Sequence, residues 1–340
     1  MLVVNLSEMK NVLVIGGSGF LGAALLAALK QAGVARLVSF DQVACPDSDV
    51  EALTGDLRNP EQVLQACAGM DTVFQTAALV DWGPRSRPRL LAVNVDGNHH
   101  VIAACQRQGV ARLVYTSSID VVFDGRPIRD GDETLPYPRR HLDDYGATKA
   151  QGEQDALAAN TATGLQTCAL RTGGIYGPGD RHRFPSILRA ARQGQLVFLG
   201  DGRARFSHVY LANVVAAHLQ AARALRPGSS VSGQAYFITD HEPQNFYTFF
   251  EPYLQELGIP IPRRRIPEAL AYALALAQES LGRLGIGPQP PLLTRYVVRS
   301  TCRDFYFSAA KAQRDFGYQP IVSQDQAFAE TLHWLKSSPQ

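Results

Sequence analysis

Over the first half of the chain, short apolar runs alternate with stretches whose apolar residues recur at helical spacing. This alternation predicts repeated βαβ units. Strands are expected at Asn11–Ile15, Leu37–Phe40, Glu51–Thr54, Asp71–Gln75, Leu113–Thr116 and Gln166–Arg171. Between them the spacing predicts helices over Phe20–Ala32 (closed by Gly33), over a stretch opened by Asn59 and Pro60, over Leu90–Gln108, and from Asp143 to Ala159. The pattern describes an α/β fold with a Rossmann-type, doubly wound parallel sheet. Past Gly177, proline and glycine become frequent, helices are expected at Phe184–Gln193 and Leu211–Ala224, and a strand at Ala235–Ile238. The expected division is a sheet domain over 10–175, holding a dinucleotide and the catalytic residues. Residues 176–340 are expected to form a smaller substrate-binding lobe interleaved with the last sheet strands.

One run breaks the texture. Ala269–Ala277 is apolar apart from the Tyr272 hydroxyl and follows Arg263–Arg265. It is too short for a bilayer span, which takes about 20 apolar residues. It reads as a helix packed over the substrate cleft, with a basic-flanked segment touching a membrane surface as the alternative. Hydrophobic residues make up 46% and charged residues 19% of the 340, with a formal net charge of +2. Such a balance gives no electrostatic case for binding nucleic acid. The five cysteines (45, 67, 105, 168 and 302) form no C-x-x-C pair and read as reduced thiols. Met1–Lys10 lacks the basic and long apolar regions of a signal peptide, so a cytoplasmic protein is expected, with residues 1–9 outside the fold.

Chemistry enters with Gly16-Gly17-Ser18-Gly19-Phe20-Leu21-Gly22, placed between the first strand and first helix. The spacing Gly16-x-x-Gly19-x-x-Gly22 permits a tight turn and a close approach of backbone N–H groups to a pyrophosphate. The helix N-terminus adds about half a positive charge there. Gly16, Ser18, Gly19, Phe20, Leu21 and Gly22 are thus expected to bind a dinucleotide. Asp41, closing the second strand, suits the adenosine ribose hydroxyls and would repel a 2′-phosphate. No Arg or Lys follows in Gln42–Cys45, which favours NAD over NADP. Asp56 and Leu57 fit an adenine contact, and Thr76, Ala77 and Ala78 a small-residue wall beside the ribose.

Tyr145 and Lys149 stand four apart in one predicted helix, so phenol and ammonium share a face. A free phenol, with a pKa of about 10, is too weak an acid to serve as a base at neutral pH. A neighbouring ammonium and the positive nicotinamide are expected to lower it. Lys149 also suits the nicotinamide ribose. Ser118, just past a strand end, can hydrogen-bond the reacting oxygen, with Ser117 as the neighbouring alternative. Trp82, Gly83, Pro84 and Tyr176 lie at carboxyl ends of strands, where such sheets bind ligands. Arg181, His182 and Arg183 are candidate partners for a substrate anion. His208 reads as a core histidine, while His99 and His100 lack partners at metal spacing, so no metal is expected.

The chain resembles the extended short-chain dehydrogenase/reductases, and within them the 3β-hydroxysteroid dehydrogenase family, nearest its sterol-4α-carboxylate 3-dehydrogenase (decarboxylating) branch. The resemblance runs over Gly16–Gly22, Tyr115–Gly125, Leu135–Glu153, Leu170–Asp180, Gly200–Ala217, Gly233–Asp240 and Tyr306–Pro320. Ala204 and Asn213 stand where sugar-nucleotide epimerases usually carry Arg and Asp. Ile15 replaces the usual Thr, and Thr172 the usual Pro, at the edge of the expected nicotinamide pocket. The resemblance implies NAD-dependent oxidation of a 3β-hydroxyl on a small, apolar, sterol-like substrate, with loss of CO2 where a 4-carboxylate is present. It also implies a homodimer. The alternatives are a reductase of long-chain 2-alkyl-3-oxo acids, a sugar-nucleotide epimerase or dehydratase, and a non-catalytic NAD-binding regulator.

Overall fold

The computed structural model describes residues 8–262, 264–287, 291 and 293–337; Arg263 lies outside them. In chain order the strands are β1 (Asn11–Ile15), β2 (Arg36–Asp41), β3 (Glu51–Thr54), β4 (Thr72–Gln75), β5 (Arg112–Ser118), β6 (Ile128–Gly131), β7 (Gln166–Thr172), β8 (Gly174–Tyr176), β9 (Phe198–Leu199), β10 (His208–Tyr210), β11 (Gln234–Ile238), β12 (Arg265–Ile266) and β13 (Phe305–Phe307). The helices are α1 (Phe20–Gln31), α2 (Pro60–Ala66), α3 (Arg87–Leu90), α4 (Gly97–Gln108), α5 (Asp144–Ala158), α6 (Arg183–Arg192), α7 (Leu211–Ala224), α8 (Glu251–Glu256), α9 (Glu268–Arg283), α10 (Arg295–Cys302), α11 (Ala310–Phe316) and α12 (Gln324–Ser337).

Seven strands form one parallel sheet in the order β11-β7-β5-β4-β1-β2-β3. Alternation along each strand divides its apolar residues between two faces. Val12 and Val14 of β1 face a layer built from Leu25 and Leu29 of α1 and Val214 of α7. Leu13 and Ile15 face the other layer, with Val63 of α2, Val101 of α4 and Ala156 of α5. The doubly wound α/β sheet is therefore as expected, and its last strand, β11, comes from beyond residue 176.

Differences are local. The helix expected over Leu90–Gln108 contains a π-helical segment, Leu91–Asp96. Within it Asn94 donates to the Leu79 carbonyl and accepts from the Leu79 N–H, which fastens the segment to the loop after β4. Residues 1–9 are not all outside the fold: Met9 is buried against the α1 layer, and Glu8 pairs with Arg112. The short pairs β8–β10, β9–β12 and β6–β13 lie outside the main sheet, and the last joins Ile128–Gly131 to Phe305–Phe307. The Ala269–Ala277 run forms the N-terminal part of α9, which buries Ala271 and Ala275 while leaving Leu270, Leu274, Leu276 and Leu281 exposed. No helix among the described residues is long and apolar enough to cross a membrane.

One buried ion pair ties α5 to β7. Arg171 donates to Glu153 at 2.7 Å, both side chains are almost wholly buried, and the Tyr137 hydroxyl donates to the same carboxylate at 2.6 Å. Glu153→Ala would leave an uncompensated guanidinium in the core. The expected loss is about 3–5 kcal/mol of stability, measured as a fall in the urea unfolding midpoint.

Candidate active site

Past the carboxyl ends of β1, β4 and β5 lies a cavity of about 620 Å³. Gly16, Gly19, Phe20, Leu21 and Gly22 form its floor, with Asp41, Asp56 and Leu57 at one end. Thr76, Ala77 and Ala78 make one wall, and Ser117, Tyr145, Lys149 and Thr172 close the other end. His182 also lines it. The floor needs its glycines. Gly16 has φ +84°, and a Cβ on Gly22 would lie 2.0 Å from the Gly16 carbonyl oxygen. That close approach lets α1 begin directly above β1, aiming its free N–H groups into the cavity. Asp41 is held in place, accepting from the Ser18 N–H at 3.0 Å. Ser18 itself turns away and donates its hydroxyl to the Val43 carbonyl at 2.7 Å. A bent, phosphate-bearing dinucleotide fits this set of glycines, backbone donors and strand-end carboxylate. Arg58 and Arg89 also line the cavity, cations not anticipated from Gln42–Cys45, and Arg58 is occupied by Asp56 at 2.5 Å.

The predicted helix carries its pair as expected. Asp143 caps α5 by accepting the Gly146 N–H at 2.8 Å, and Tyr145 and Lys149 both point inward and are buried. The Lys149 ammonium donates to the Thr116 carbonyl at 2.6 Å and lies 4.2 Å from the Tyr115 ring centre. Burial pushes its pKa down to about 7, opposed by Glu153. The Tyr145 phenol, however, is not lowered. Burial raises its pKa, the Asp120 carboxylate raises it further, and only the Ser118 hydroxyl and no ammonium pulls the other way. The sequence expectation of an ammonium-lowered phenol therefore fails for the protein by itself, because desolvation dominates.

Ser118 stands beside Tyr145, and its hydroxyl donates to Asp120 at 2.7 Å. Ser117 lines the cavity, its hydroxyl buried without a partner among the described residues. Trp82 stacks on Tyr296 at 5.4 Å and meets Tyr145 edge-on at 6.1 Å. Both rings line a second cavity of about 640 Å³. Tyr176 does not line a cleft: it is buried in an aromatic cluster with Tyr210 and Phe249. Arg183 is unavailable to an anion. It bonds the Gly174 carbonyl and His208 and sits among Phe206, Phe246 and Phe250. Arg181 is exposed on the same turn. His208 is a core residue kept neutral by burial, stacked on Phe249. No metal-binding cluster of His, Cys, Asp or Glu occurs among the described residues. Asp120, Asp143 and Tyr296 surround Ser118 and Tyr145 yet were not singled out from sequence. Asp120 lies two residues past Ser118, which is the one signal that could have drawn attention to it.

Fold and site together define an extended short-chain dehydrogenase/reductase. The model of the 3-beta hydroxysteroid dehydrogenase/isomerase family matches residues 13–268, and the chain belongs to that family. It is 37% identical over 336 residues to a 3-beta-hydroxysteroid dehydrogenase of Mycolicibacterium neoaurum, covering 96% of this chain and 91% of that one. It is 42% identical over 293 residues to 3beta-hydroxysteroid-dehydrogenase/decarboxylase isoform 1 of Arabidopsis thaliana, covering 83% of this chain and 66% of that one. Among solved structures, MoeE5 in complex with UDP-glucuronic acid and NAD superposes with a TM-score of 0.75 at 25% identity, covering 97% of this chain and 100% of that one.

The depressed lysine has a measurable consequence. The unfolded chain keeps the Lys149 proton up to the ordinary 10.5, and the folded chain only to about 7. Between these values the unfolded state binds more protons, so this group's contribution to stability rises with pH, and its full penalty is present below about 7. Lys149→Met should therefore stabilise the ligand-free protein by roughly 2–4 kcal/mol at about pH 6. The gain should shrink as pH approaches 10.5, and urea midpoints across this range check it.

Proposed function

We propose that this chain is an NAD-dependent dehydrogenase that oxidises a 3β-hydroxyl on a steroid or sterol. The observation that carries the reading is the junction of Tyr145 and Lys149 with one end of a glycine-floored cavity, with Ser118 beside the Tyr145 phenol. The steroid-active relatives supply the substrate class. A bound NAD⁺ would supply the hydride acceptor, held by the glycine floor and Asp41. Ser118 holds the alcohol oxygen, Tyr145 takes its proton, and Lys149, anchored on the Thr116 carbonyl, keeps its ammonium beside the reacting end of the cavity. Where the substrate carries a carboxylate β to the new ketone, the β-keto acid product loses CO2 without a further catalytic group.

Two buried positions support a steroid over a nucleotide sugar. Ala204 offers no cation to a substrate pyrophosphate, and Asn213 is committed to Asp240, Ile321 and Val322. The test incubates the protein with NAD⁺ and a panel of 3β-hydroxysteroids, 4-carboxysterols, 3-hydroxy acids and UDP-sugars while following NADH absorbance. Turnover of steroids is expected, and turnover of UDP-sugars alone would overturn the reading. Tyr145→Phe should lower kcat/KM at least about a hundredfold. With Asp41 at the adenosine end, NADP should support at least about tenfold less turnover than NAD.

The exposed leucines of α9 support peripheral contact with a membrane, where such a substrate is dissolved. Leu270→Gln together with Leu274→Gln should reduce co-flotation with phosphatidylcholine vesicles and leave NAD⁺ binding unchanged. Equal flotation of both proteins counts against this contact.

A further inference from the structure

Behind Ser118 the site holds acidic groups without a matching cation. Asp120 is 6% exposed and accepts two hydroxyls, Ser118 at 2.7 Å on one oxygen and Tyr296 at 2.8 Å on the other. Among the described residues, no ammonium or guanidinium bonds it. The groups facing it are Ser118 at the end of β5, Asp143 capping α5, Tyr145 on α5 and Tyr296 on α10. His141, whose ring bonds the Val121 carbonyl, is kept neutral by burial. The backbone pins this arrangement, since a Cβ on Gly146 would meet the Asp120 carbonyl at 3.0 Å.

A serine hydroxyl has one proton to give. While Ser118 gives it to Asp120, it cannot give it to an oxygen on Tyr145 or on a substrate. The Asp120 charge also repels a phenolate directly. Both effects act in one direction. We propose that Asp120 is a positioning residue that restrains Tyr145: ionised, it engages the Ser118 proton and holds the phenol protonated, setting the pH at which the site changes from giving a proton to taking one. The inference rests on the dehydrogenase reading above. Within that reading, a protonated Tyr145 serves ketone reduction and an ionised one serves alcohol oxidation, so Asp120 biases the direction in which the site works at a given pH. The raised pKa values of Asp120, Asp143 and Tyr145 agree with too much acid in too little solvent.

Asp120→Asn keeps the shape, removes the charge and can donate to Ser118. In this variant the pH above which NAD⁺-linked oxidation rises, and the pH above which ketone reduction falls, should both move down by about one unit. Below the limb, oxidation at fixed pH should be about tenfold faster than in the parent. A purely structural role would lower kcat without moving either limb. Tyr296→Phe removes one donor to the carboxylate, disfavours its charge and should move the limbs the same way by less. It also serves if the asparagine variant fails to fold. A parallel titration follows tyrosinate absorbance of each protein against its Tyr145→Phe counterpart, with and without NAD⁺ and without any substrate. Earlier onset in the Asp120→Asn protein supports the proposal. Steroid turnover with unmoved limbs overturns it and leaves the dehydrogenase reading standing. Absence of turnover on every substrate overturns that reading instead, and the tyrosinate titration then decides this one, overlaid curves refuting it.

Discussion

Helix α5 lies against the end of β5 closely enough that side chains are excluded from the seam, and the site depends on this contact. A Cβ on Gly152 would lie 2.6 Å from the Tyr115 hydroxyl and 2.9 Å from the Asn94 carbonyl, and Gly146 meets the Asp120 turn in the same way. With those two positions empty, the helix presses its inner face onto the sheet. Tyr145, Lys149 and Glu153, spaced one turn apart, then enter the interior as a buried stripe. Each finds a fixed partner there: the Ser118 turn, the Thr116 carbonyl and Arg171. A helix standing further off would let water reach the lysine and leave Glu153 and Arg171 apart.

Burial then sets the electrostatics. Removing water disfavours whichever form carries charge, so Lys149 is driven toward the free amine while Asp120, Asp143 and Tyr145 are driven toward their protonated forms. At neutral pH the buried phenol is therefore held in its protonated form. The geometry is built in advance, and the charge state is left to whatever binds. The expected lowering called on the ammonium and the nicotinamide cation together, and in the protein by itself burial raises the phenol instead. Spacing places two groups side by side, but it says nothing of the water between them.

The same distinction governs what could be read from the chain. The buried strand β1 appears as a short apolar run and matches its expected limits, the largely exposed edge strand β3 matches as well, and α7, apolar on nearly every side, matches from Leu211 to Ala224. The glycine loop and the Tyr145–Lys149 pair were legible because each is a local device whose spacing carries its geometry. What was not legible depends on partners distant in the chain. β13 pairs with β6 across the whole second half, and Tyr296 reaches Asp120 from α10. A position at a strand's carboxyl end also does not say which way its side chain faces. Tyr176 occupies such a position and faces the aromatic cluster.

The C-terminal half does more than cover the cleft. α9 and α10 are joined at both ends, Glu268 to Arg299 and Arg303, and Glu279 to Arg295 at 2.7 Å, with Ala271, Ala275 and Val298 packed between. Because the buried side of α9 is made of alanines, the helices approach closely and the leucines are left on the outer face. The inner helix carries Tyr296, stacked on Trp82 and bonded to Asp120. The apolar outer face and Ser118 are thus separated by two clamped helices and one carboxylate. Trp82 touches both Tyr296 and Tyr145. The wall of the second cavity, the Asp120 carboxylate and the Tyr145 phenol are therefore parts of one contact.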